Sequence, residues 1–542
     1  MARKLFVFVL VLAMVAAVSA GCKPKLPAHV DASQLHKEQV IRYNVGTEPE
    51  TLDPAKSTGI PEFNMQLAIW EGLMRLDSKS QPAFGAAEKV DVSPDLLTYT
   101  FTLRKGLKWS NGEPLTAADF EYSWKRALDP DTAADYAYML YYIKGGEAYN
   151  GGTGKVEDVG VKAKDARTLV VTLEAPCKYF LSLCAFGTYY PVNKKIVEAD
   201  SEWYTKAEKL IGNGPFKVSK WSHNDRIEFV KNPNYWDTKS VVLEKLVFTM
   251  VEEDTTELAM FESGEIDFAD NPPSAELARL TAEKKLGVNV LLGTYYYIFN
   301  VEKKPLDDVR VRKALTLAID RKAIVETVTK GGQVPALAFV PPGIPDASGN
   351  DFRKSKGDYF KDADVATAKA LLADAGYPNG KGFPSLEILY NTSAGHKRIA
   401  EAIQEMWKVN LGITSVTLRN LEWGMYLAAR DEGDFQIARA GWLGDFLDPM
   451  TFIDMWLTGG GNNNSRWGLP EYDALVEKAR KSADQAVRMK TMHDAEALLM
   501  RDMPIAPIYY YVDLFLMKPY VKGVMQSALG PIDFKNAWVA KH

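Results

Sequence analysis

Alternation of apolar and polar residues predicts β-strands along the whole chain. In Thr98–Leu103, Thr alternates with large apolar residues, which is typical of a strand with one buried face. Other apolar or alternating runs predict strands at 40–45, 165–173, 226–230, 243–251, 386–390, 415–418 and 506–512. The predicted strands are therefore spread over the sequence rather than gathered in one segment.

Helical spacing of apolar residues predicts helices between these strands. Phe120 and Trp124 lie on one face of a helix that Thr116 caps, with Asp119 at the reciprocal position of a capping box. The same reasoning predicts helices at 64–73, 255–263, 309–319, 320–331 (from an Asp320 cap to a stop at Gly331), 365–375, 393–411, 425–432 and 470–501. The strand–helix–strand order over 386–418 favours an α/β fold with a partly parallel sheet.

Residues 434–450 combine a predicted buried strand with side chains that suit a ligand. Arg439, Trp442 and Asp445 supply a cation, an aromatic ring and an anion. Arg439 and Asp445 would share one face of an unbroken strand, because side chains alternate between faces. Gly441 allows another backbone to come close. The pattern fits a ligand that carries both charges, or alternatively a surface ion pair beside a core Trp.

The first residues predict export from the cytoplasm. Arg3 and Lys4 precede an apolar run from Leu5 to Val18, which is too short to cross a bilayer as a helix. Small residues then follow, as in a signal peptide with a cleavage site. Residues 1–21 are therefore predicted to be a signal peptide.

Cys22 follows those small residues as in the bacterial lipoprotein signal, which this segment resembles. The resemblance implies that Cys22 becomes the lipidated N-terminus, although Ser19 stands where that signal usually has Leu. Ordinary cleavage beside an unmodified Cys is the alternative. Residues 22–39 are polar and contain two Pro residues, so they are predicted to form a tether between the lipid and the folded chain.

Composition narrows the classes of function. The 542 residues exceed one ordinary domain, and 65 Lys and Arg against 70 Asp and Glu give no basic surface for a nucleic acid. The six His residues are scattered, so no metal site or other cofactor is predicted. Cys177 and Cys184 would lie about 10 Å apart on a helix, which favours two buried free thiols over a disulfide. A secreted hydrolase lacks support, since Gly-x-Ser-x-Gly and His-Glu-x-x-His are both absent from the sequence.

Five motifs in order resemble the family 5 extracellular solute-binding proteins, and most closely their oligopeptide-binding members. They lie at 45–54, 99–120, 212–216, 309–315 and 441–445. The resemblance covers the chain from about residue 40 to the C-terminus. It implies a binding protein of an ABC importer, with no catalytic residues, that delivers oligopeptides to permease and ATPase subunits and acts as a monomer. Alternatives within the same fold are receptors for a dipeptide, a murein peptide, a nickel chelate or haem.

The same resemblance implies a periplasmic-binding-protein-like fold of type II, in its large three-lobed form, with mixed sheets and a hinged ligand cleft. Tyr295–Asn300 and Pro507–Val512 would connect two of the lobes. The implied lobes are lobe I at 40–70, 196–293 and 511–542, lobe II at 71–195, and lobe III at 294–510.

The family pattern also implies roles for individual residues. Asp445 would pair with the α-ammonium of a peptide. The backbone around Gly441, Leu443 and Ile60 would hydrogen-bond to the peptide backbone by β-augmentation. Arg439 would bind the terminal carboxylate of some peptides.

His396 would bind that carboxylate in peptides of a different length, and Trp423 and Trp442 would line side-chain pockets. Lys330 stands next to the position of a family pocket lysine, which is Thr329 here. A family acidic residue is likewise replaced by Thr58. These two departures concern the preferred length and charge of the peptide.

Overall fold

The computed structural model describes residues 30–270 and 272–542. The predicted signal peptide and Cys22 lie outside the described residues. Within the described part, none of the helices combines the length and apolarity needed to cross a membrane.

In the described part of the chain, one large mixed sheet of 11 strands is built from the residues predicted for lobes I and III. At one edge, the strand Leu386–Asn391 pairs in parallel with both of its neighbours. In the centre, the strand Leu286–Phe299 pairs antiparallel with both of its neighbours. The short strand Val334–Pro335 pairs beside the main path. The strands in spatial order are Val416–Leu421, Leu386–Asn391, Ile437–Leu443, Leu286–Phe299, Ile505–Met517, Phe268–Asp270, Val40–Asn44, Lys245–Thr249, Arg226–Lys231 and Phe216–Ser222.

Two long antiparallel strands in the middle of this sheet, Leu286–Phe299 and Ile505–Met517, run between the residues predicted for lobe I and those predicted for lobe III. We call them the hinge strands. Their register is irregular between Val290 and Thr294, where the chain passes from one lobe to the other. The segments predicted to connect the lobes lie on these strands, apart from Asn300, which directly follows the first one.

The residues predicted for lobe II form a separate sheet of four antiparallel strands. They are, in spatial order, Ala87–Val92, Thr98–Leu103, Thr168–Thr172 and Val161–Ala163. The predicted capping box is present, because the Thr116 N–H donates to Asp119 Oδ2 at 2.8 Å. Three small strand pairs complete the β-structure: Met74–Leu76 with Pro82–Phe84, Val521–Lys522 with Trp538–Val539, and Met525–Gln526 with Ile532–Asp533.

Most of the α-helices bury apolar residues in the hydrophobic cores. The α-helices are Ile60–Ile69, Ala117–Ala127, Gly146–Asn150, Phe180–Leu183, Lys194–Ala199, Asp254–Ser263, Leu277–Ala282, Val309–Leu317, Arg321–Ala323, Phe352–Lys356, Val365–Asp374, Ala394–Leu411, Trp423–Glu432, Met450–Ile453, Pro470–Lys481 and Gln485–Asp502. A π-helical turn at Ile324–Thr329 extends the helix that Asp320 caps.

Three of the differences between the predicted and observed helices have a clear local cause. The helix predicted at 64–73 is Ile60–Ile69, because Pro61 sets the first turn and Trp70 is extended. The predicted helix at 470–501 is two helices, since Ser482 is extended and Asp484 caps the second. The helix capped by Asp320 ends at left-handed Lys330 (φ 56°), not at Gly331.

Part of the predicted tether is docked on lobe I. Val30 is buried against Val242 and Trp538. The side chain of Gln39 donates to Val539 O at 3.0 Å and accepts from Val539 N at 2.9 Å. Residues 30–39 therefore belong to the folded body, although they were predicted to be part of the tether.

The two remaining Cys residues are buried free thiols, as expected. Cys177 and Cys184 are not bonded to each other. Cys184 follows the short helix Phe180–Leu183 as its C-cap. Burial raises the pKa of the Cys177 thiol to about 12, so it stays protonated at neutral pH.

Candidate functional site

Two adjoining cavities of about 350 and 410 Å³ lie along the cleft between lobes I and III. We call the cavity that contains Asp445 the first cavity and the one that contains His396 the second cavity. Residues lining both are Ile60, Pro61, Asp270, Trp423, Arg439, Tyr511, Val512 and Leu514. Shared walls make one elongated cleft, as an extended ligand requires.

The strand Ile437–Leu443, which we call the cleft strand, forms one wall. Asn300 N donates to Gln436 O and Gly444 N donates to Leu292 O, just beyond the two ends of its pairing with the first hinge strand. Backbone groups alternate in direction along an antiparallel strand, so even-numbered residues here face the hinge strand. The N–H and C=O groups of Gly441 and Leu443 consequently point to the other edge.

This other edge is free beside the cleft. The parallel neighbour Leu386–Asn391 pairs only with Ile437 and Ala438. Among the described residues no group hydrogen-bonds to the outward N–H and C=O of Gly441 or Leu443. The cleft strand thus offers unpaired backbone donors and acceptors to an extended chain.

Gly441 leaves space for a side chain from the second hinge strand. A Cβ at Gly441 would lie 2.2 Å from Tyr511 Oη. That hydroxyl accepts a hydrogen bond from Arg439 Nη2 at 3.0 Å. Gly441 therefore permits the contact that orients the Arg439 guanidinium.

Asp445 is an acidic group held by neutral partners. Thr451 Oγ1 donates to Asp445 Oδ2 at 2.9 Å, and Tyr136 Oη donates to Oδ1 at 3.3 Å. No described Lys, Arg or His forms an ion pair with it. Burial raises the pKa of Asp445 to about 8, because the charged form loses hydration. The site is thus prepared for a cation supplied from outside the chain.

Arg439 is a cation without a carboxylate partner among the described residues. Besides Tyr511, its guanidinium donates to Asn391 Oδ1 at 3.3 Å and stands 4.7 Å from the centre of the Tyr295 ring. Its Nε is buried and has no described acceptor. Arg439 and Asp445 do not pair with each other, so the alternative of a mutual surface ion pair is wrong. The cleft strand ends at Leu443, and the unbroken strand assumed for the shared face does not extend to Asp445.

His396 lies in the first turn of the helix Ala394–Leu411 and lines the second cavity. Its Nδ1 is 3.2 Å from Tyr295 Oη. Burial and the nearby Arg439 charge lower the pKa of His396 well below its usual value. The ring is therefore neutral at pH 7, and it would act as a hydrogen-bonding group rather than as a cation.

Trp423 and Trp442 both line the first cavity but are held differently. The Trp442 indole donates to Thr451 O at 2.8 Å, which braces the turn that carries Asp445. The Trp423 indole donates across the cleft to Glu62 Oε1 at 3.3 Å. Trp442 thus also supports the site, and Trp423 reaches lobe I.

The two lobes are in contact around the cleft. A Cβ on Gly530 of lobe I would lie 2.6 Å from Leu443 Cδ1 and 3.0 Å from Ile60 Cδ1. The Nη2 atom of Arg398, in lobe III, lies 3.8 Å from Oδ2 of Asp254, in lobe I. With the contact of Trp423, these distances describe a closed cleft.

Lys330 is apart from the other predicted residues. Its side chain is exposed, and it lines neither cavity. Its left-handed backbone ends a helix instead. Thr329 lines the second cavity and Thr58 lines the first.

Sequence reasoning missed several residues that line the cleft. Tyr136 comes from lobe II, Tyr511 from a hinge strand, and Asp270 and Asp513 from lobe I. Of these residues, Tyr511 is the one that the sequence could most readily have indicated, because it lies in a predicted strand rich in Tyr. The others lie in segments with no local signal for a ligand.

The comparisons agree with this arrangement. Residues 81–464 match the model of the bacterial extracellular solute-binding proteins, family 5. The oligopeptide-binding protein OppA of Bacillus subtilis is 42% identical over 508 residues, which cover 92% of each chain. The crystal structure of Haemophilus influenzae OppA in complex with RPPGFSPFR is 36% identical, covers 94% of this chain and 100% of that one, and gives a TM-score of 0.88.

Two solved structures of a further relative bear on whether the cleft is open or closed. The Escherichia coli murein tripeptide-binding protein MppA is 35% identical, covers 94% of this chain and 100% of that one, and gives a TM-score of 0.88. An unliganded open form of MppA, at the same identity and with 95% and 99% coverage, gives only 0.62. The lower score agrees with the closed cleft described above. With its fold, its cleft and these matches, the chain belongs to the bacterial extracellular solute-binding proteins of family 5.

Proposed function

We propose that this protein captures oligopeptides outside the cytoplasm and delivers them to the permease of an ABC importer. One observation carries the proposal: the free backbone edge at Gly441 and Leu443 lies between the carboxyl group of Asp445 and the guanidinium of Arg439, and neither has an ion-pair partner among the described residues. A peptide has a complementary backbone and the two opposite terminal charges. The names of the Bacillus subtilis and Haemophilus influenzae relatives support the same ligand class.

The charges give the peptide a direction. Its α-ammonium would lie in the first cavity at Asp445, and its backbone would pair with Gly441 and Leu443 of the cleft strand. The opposite wall at Ile60 would supply the second set of backbone contacts. Backbone pairing ignores side chains, so it provides affinity without strong sequence preference.

The carboxylate end would lie toward the second cavity. Arg439 lines both cavities and is the nearer cation for a short peptide. A longer peptide would place its carboxylate near His396, which donates a hydrogen bond from its neutral ring. Trp423 and Trp442 would line the side-chain pockets of the first cavity.

Calorimetric titration of ligand-free protein with peptides of two to five residues tests this function. We expect saturable 1:1 binding that needs a free N-terminus and tolerates different side chains. A murein peptide belongs in the same panel, because MppA is a relative at 35% identity. Failure of every peptide to bind, while another solute binds, would overturn the proposal.

We expect peptide binding to release a proton. In the free protein Asp445 is protonated below its pKa of about 8. An incoming ammonium stabilises the carboxylate and lowers that pKa, so at pH 6 about one proton leaves. Affinity therefore rises with pH from about 6 to 8, and falls above that range as the peptide amine loses its own proton near pH 8.

Calorimetry in buffers of different ionisation enthalpy measures this release directly. Asp445→Asn, which keeps the shape of the side chain but cannot ionise, should reduce the released proton number to near zero. Equal proton release by the wild type and by Asp445→Asn would assign the proton to another group.

We also propose that the protein has no catalytic activity, acts as a monomer and is anchored to a bacterial membrane through a lipid on Cys22. The family consists of solute-binding proteins, which supports the first point. Turnover of a chromogenic peptide would contradict it, and light scattering tests the monomer. The intact mass of membrane-extracted protein tests the lipid, since an unmodified residue 22 would exclude the anchor.

A further inference from the structure

Three carboxyl groups of lobe I lie together where the two cavities meet. Asp270 lines both cavities, Asp513 the first and Glu257 the second. Asp270 pairs with Phe515 on the neighbouring hinge strand, so Asp513, two residues away, is its diagonal neighbour on the same sheet face. Glu257, which is 5% exposed, accepts the Asp270 backbone N–H at 2.9 Å.

The contacts of these carboxyl groups are neutral. Tyr43 Oη donates to Asp270 Oδ2, and Asn289 Nδ2 donates to Asp513 Oδ2 at 3.4 Å. Asp270 Oδ1 is buried and accepts no hydrogen bond from a described residue. No described Lys or Arg forms an ion pair with any of the three. The group therefore has an unsatisfied acceptor and no compensating charge.

The electrostatic cost of this arrangement appears as a raised pKa of Asp270. Burial, and then the charge of Asp513, raise the pKa of Asp270 to about 7. Burial likewise raises the pKa of Glu257 well above its usual value, with the charge of Asp270 adding to the effect. A cation placed among these groups would offset the repulsion between the carboxylates. It would also donate the hydrogen bond that Asp270 Oδ1 lacks.

A metal ion does not fit this description. Among the described residues there is no group of three or more His, Cys, Asp or Glu side chains close enough to hold one. A flexible side chain with an ammonium or guanidinium end can instead reach separate carboxylates with several donors. The cavity geometry thus favours an organic cation on a long stem.

From this geometry we propose that Asp270, Asp513 and Glu257 form a subsite for a Lys or Arg side chain of the bound peptide. The inference rests on the proposed capture of peptides. Asp445 binds the α-ammonium in the first cavity, while Asp270 lies where the first cavity meets the second. The basic side chain therefore belongs to a position after the first residue.

Calorimetry with matched peptides tests the subsite. The panel contains Ala-X-Ala-Ala and Ala-Ala-X-Ala, where X is lysine, norleucine or glutamate. We expect lysine to bind about tenfold more tightly than norleucine at one of these positions, as a partly buried charge pair provides, and glutamate to bind less tightly than norleucine.

Variants then assign the preference to these residues. In Asp270→Asn with Asp513→Asn, the lysine preference, taken as the ratio of the lysine and norleucine affinities of that same variant, should fall to about twofold or less. The single variant Asp513→Asn, which retains the Asp270 contact to Tyr43, should show an intermediate preference. Asp91→Asn, an exposed carboxylate on lobe II, controls for net charge and should behave as the wild type.

Each outcome is decisive for one of the two proposals. Equal binding of the lysine and norleucine peptides at both positions overturns the subsite but leaves peptide capture in place. A lysine preference that persists in the single and double variants assigns the selectivity elsewhere and also overturns it. Failure of all peptides to bind the wild type overturns the proposed function itself.

Discussion

Asp445→Ala is expected to weaken the binding of peptides with a free N-terminus by about 2–5 kcal/mol, while the fold stays intact. Asp445 lines the first cavity and forms no ion pair with a described residue, and hydroxyl groups of Thr451 and Tyr136 hold its carboxyl group in place. Its removal leaves the peptide ammonium without a counter-charge inside a closed cleft. Calorimetry of both proteins with the same tripeptide measures the loss.

Two controls separate this effect from general damage. Asp434→Ala removes an exposed acid that pairs with Arg419 at 2.9 Å, and it should change affinity by less than about 1 kcal/mol. An N-acetylated tripeptide should bind the wild type weakly, and Asp445→Ala should weaken it little further. If the free tripeptide binds Asp445→Ala and wild type equally, the role given to Asp445 is wrong.

Arg488→Ala is expected to lower the free energy of unfolding by about 3–5 kcal/mol. Arg488 Nη1 donates to Asp448 Oδ2 at 2.7 Å, and both side chains are nearly buried. Without Arg488, the Asp448 carboxylate would remain in the interior without its partner. Asp448 also accepts the Met450 N–H at 2.9 Å, which shapes the turn between Asp445 and Thr451.

Denaturant unfolding measures this loss, and peptide titration of the folded fraction should show weakened binding as well. Arg501→Ala is a matched control, because Arg501 pairs with Asp502 at the surface and its loss should cost less than about 1 kcal/mol. Equal stability of the two variants would show that the Arg488–Asp448 pair does not hold the turn.

Local signals explain which elements were predictable. The capping box at Thr116 and the left-handed Gly412 that ends the helix Ala394–Leu411 are fixed by residues within one turn. The hinge strands are longer than their sequence suggests. Gly287 and Asn289 interrupt the apolar pattern of the first one, and pairing with the second compensates for that interruption.

The site shows the same division between local and distant information. Arg439, Trp442 and Asp445 stand on one segment, so their chemistry is readable from the sequence. Their partners come from remote segments that only the fold brings together, such as Tyr136 and Tyr511. The neutral state of His396 depends on burial and on a neighbouring charge, which no linear pattern reveals.

Mass spectrometry of the molecules released when the purified protein is denatured tests the central claim most directly. The closed cleft has a free backbone edge and two groups, Asp445 and Arg439, that suit the charged ends of a peptide. It therefore predicts a mixture of short peptides with unrelated sequences and free N-termini. If an acidic subsite operates, Lys and Arg should be enriched after the first position. A single defined species that is not a peptide, such as a sugar or a metal chelate, would contradict the claim.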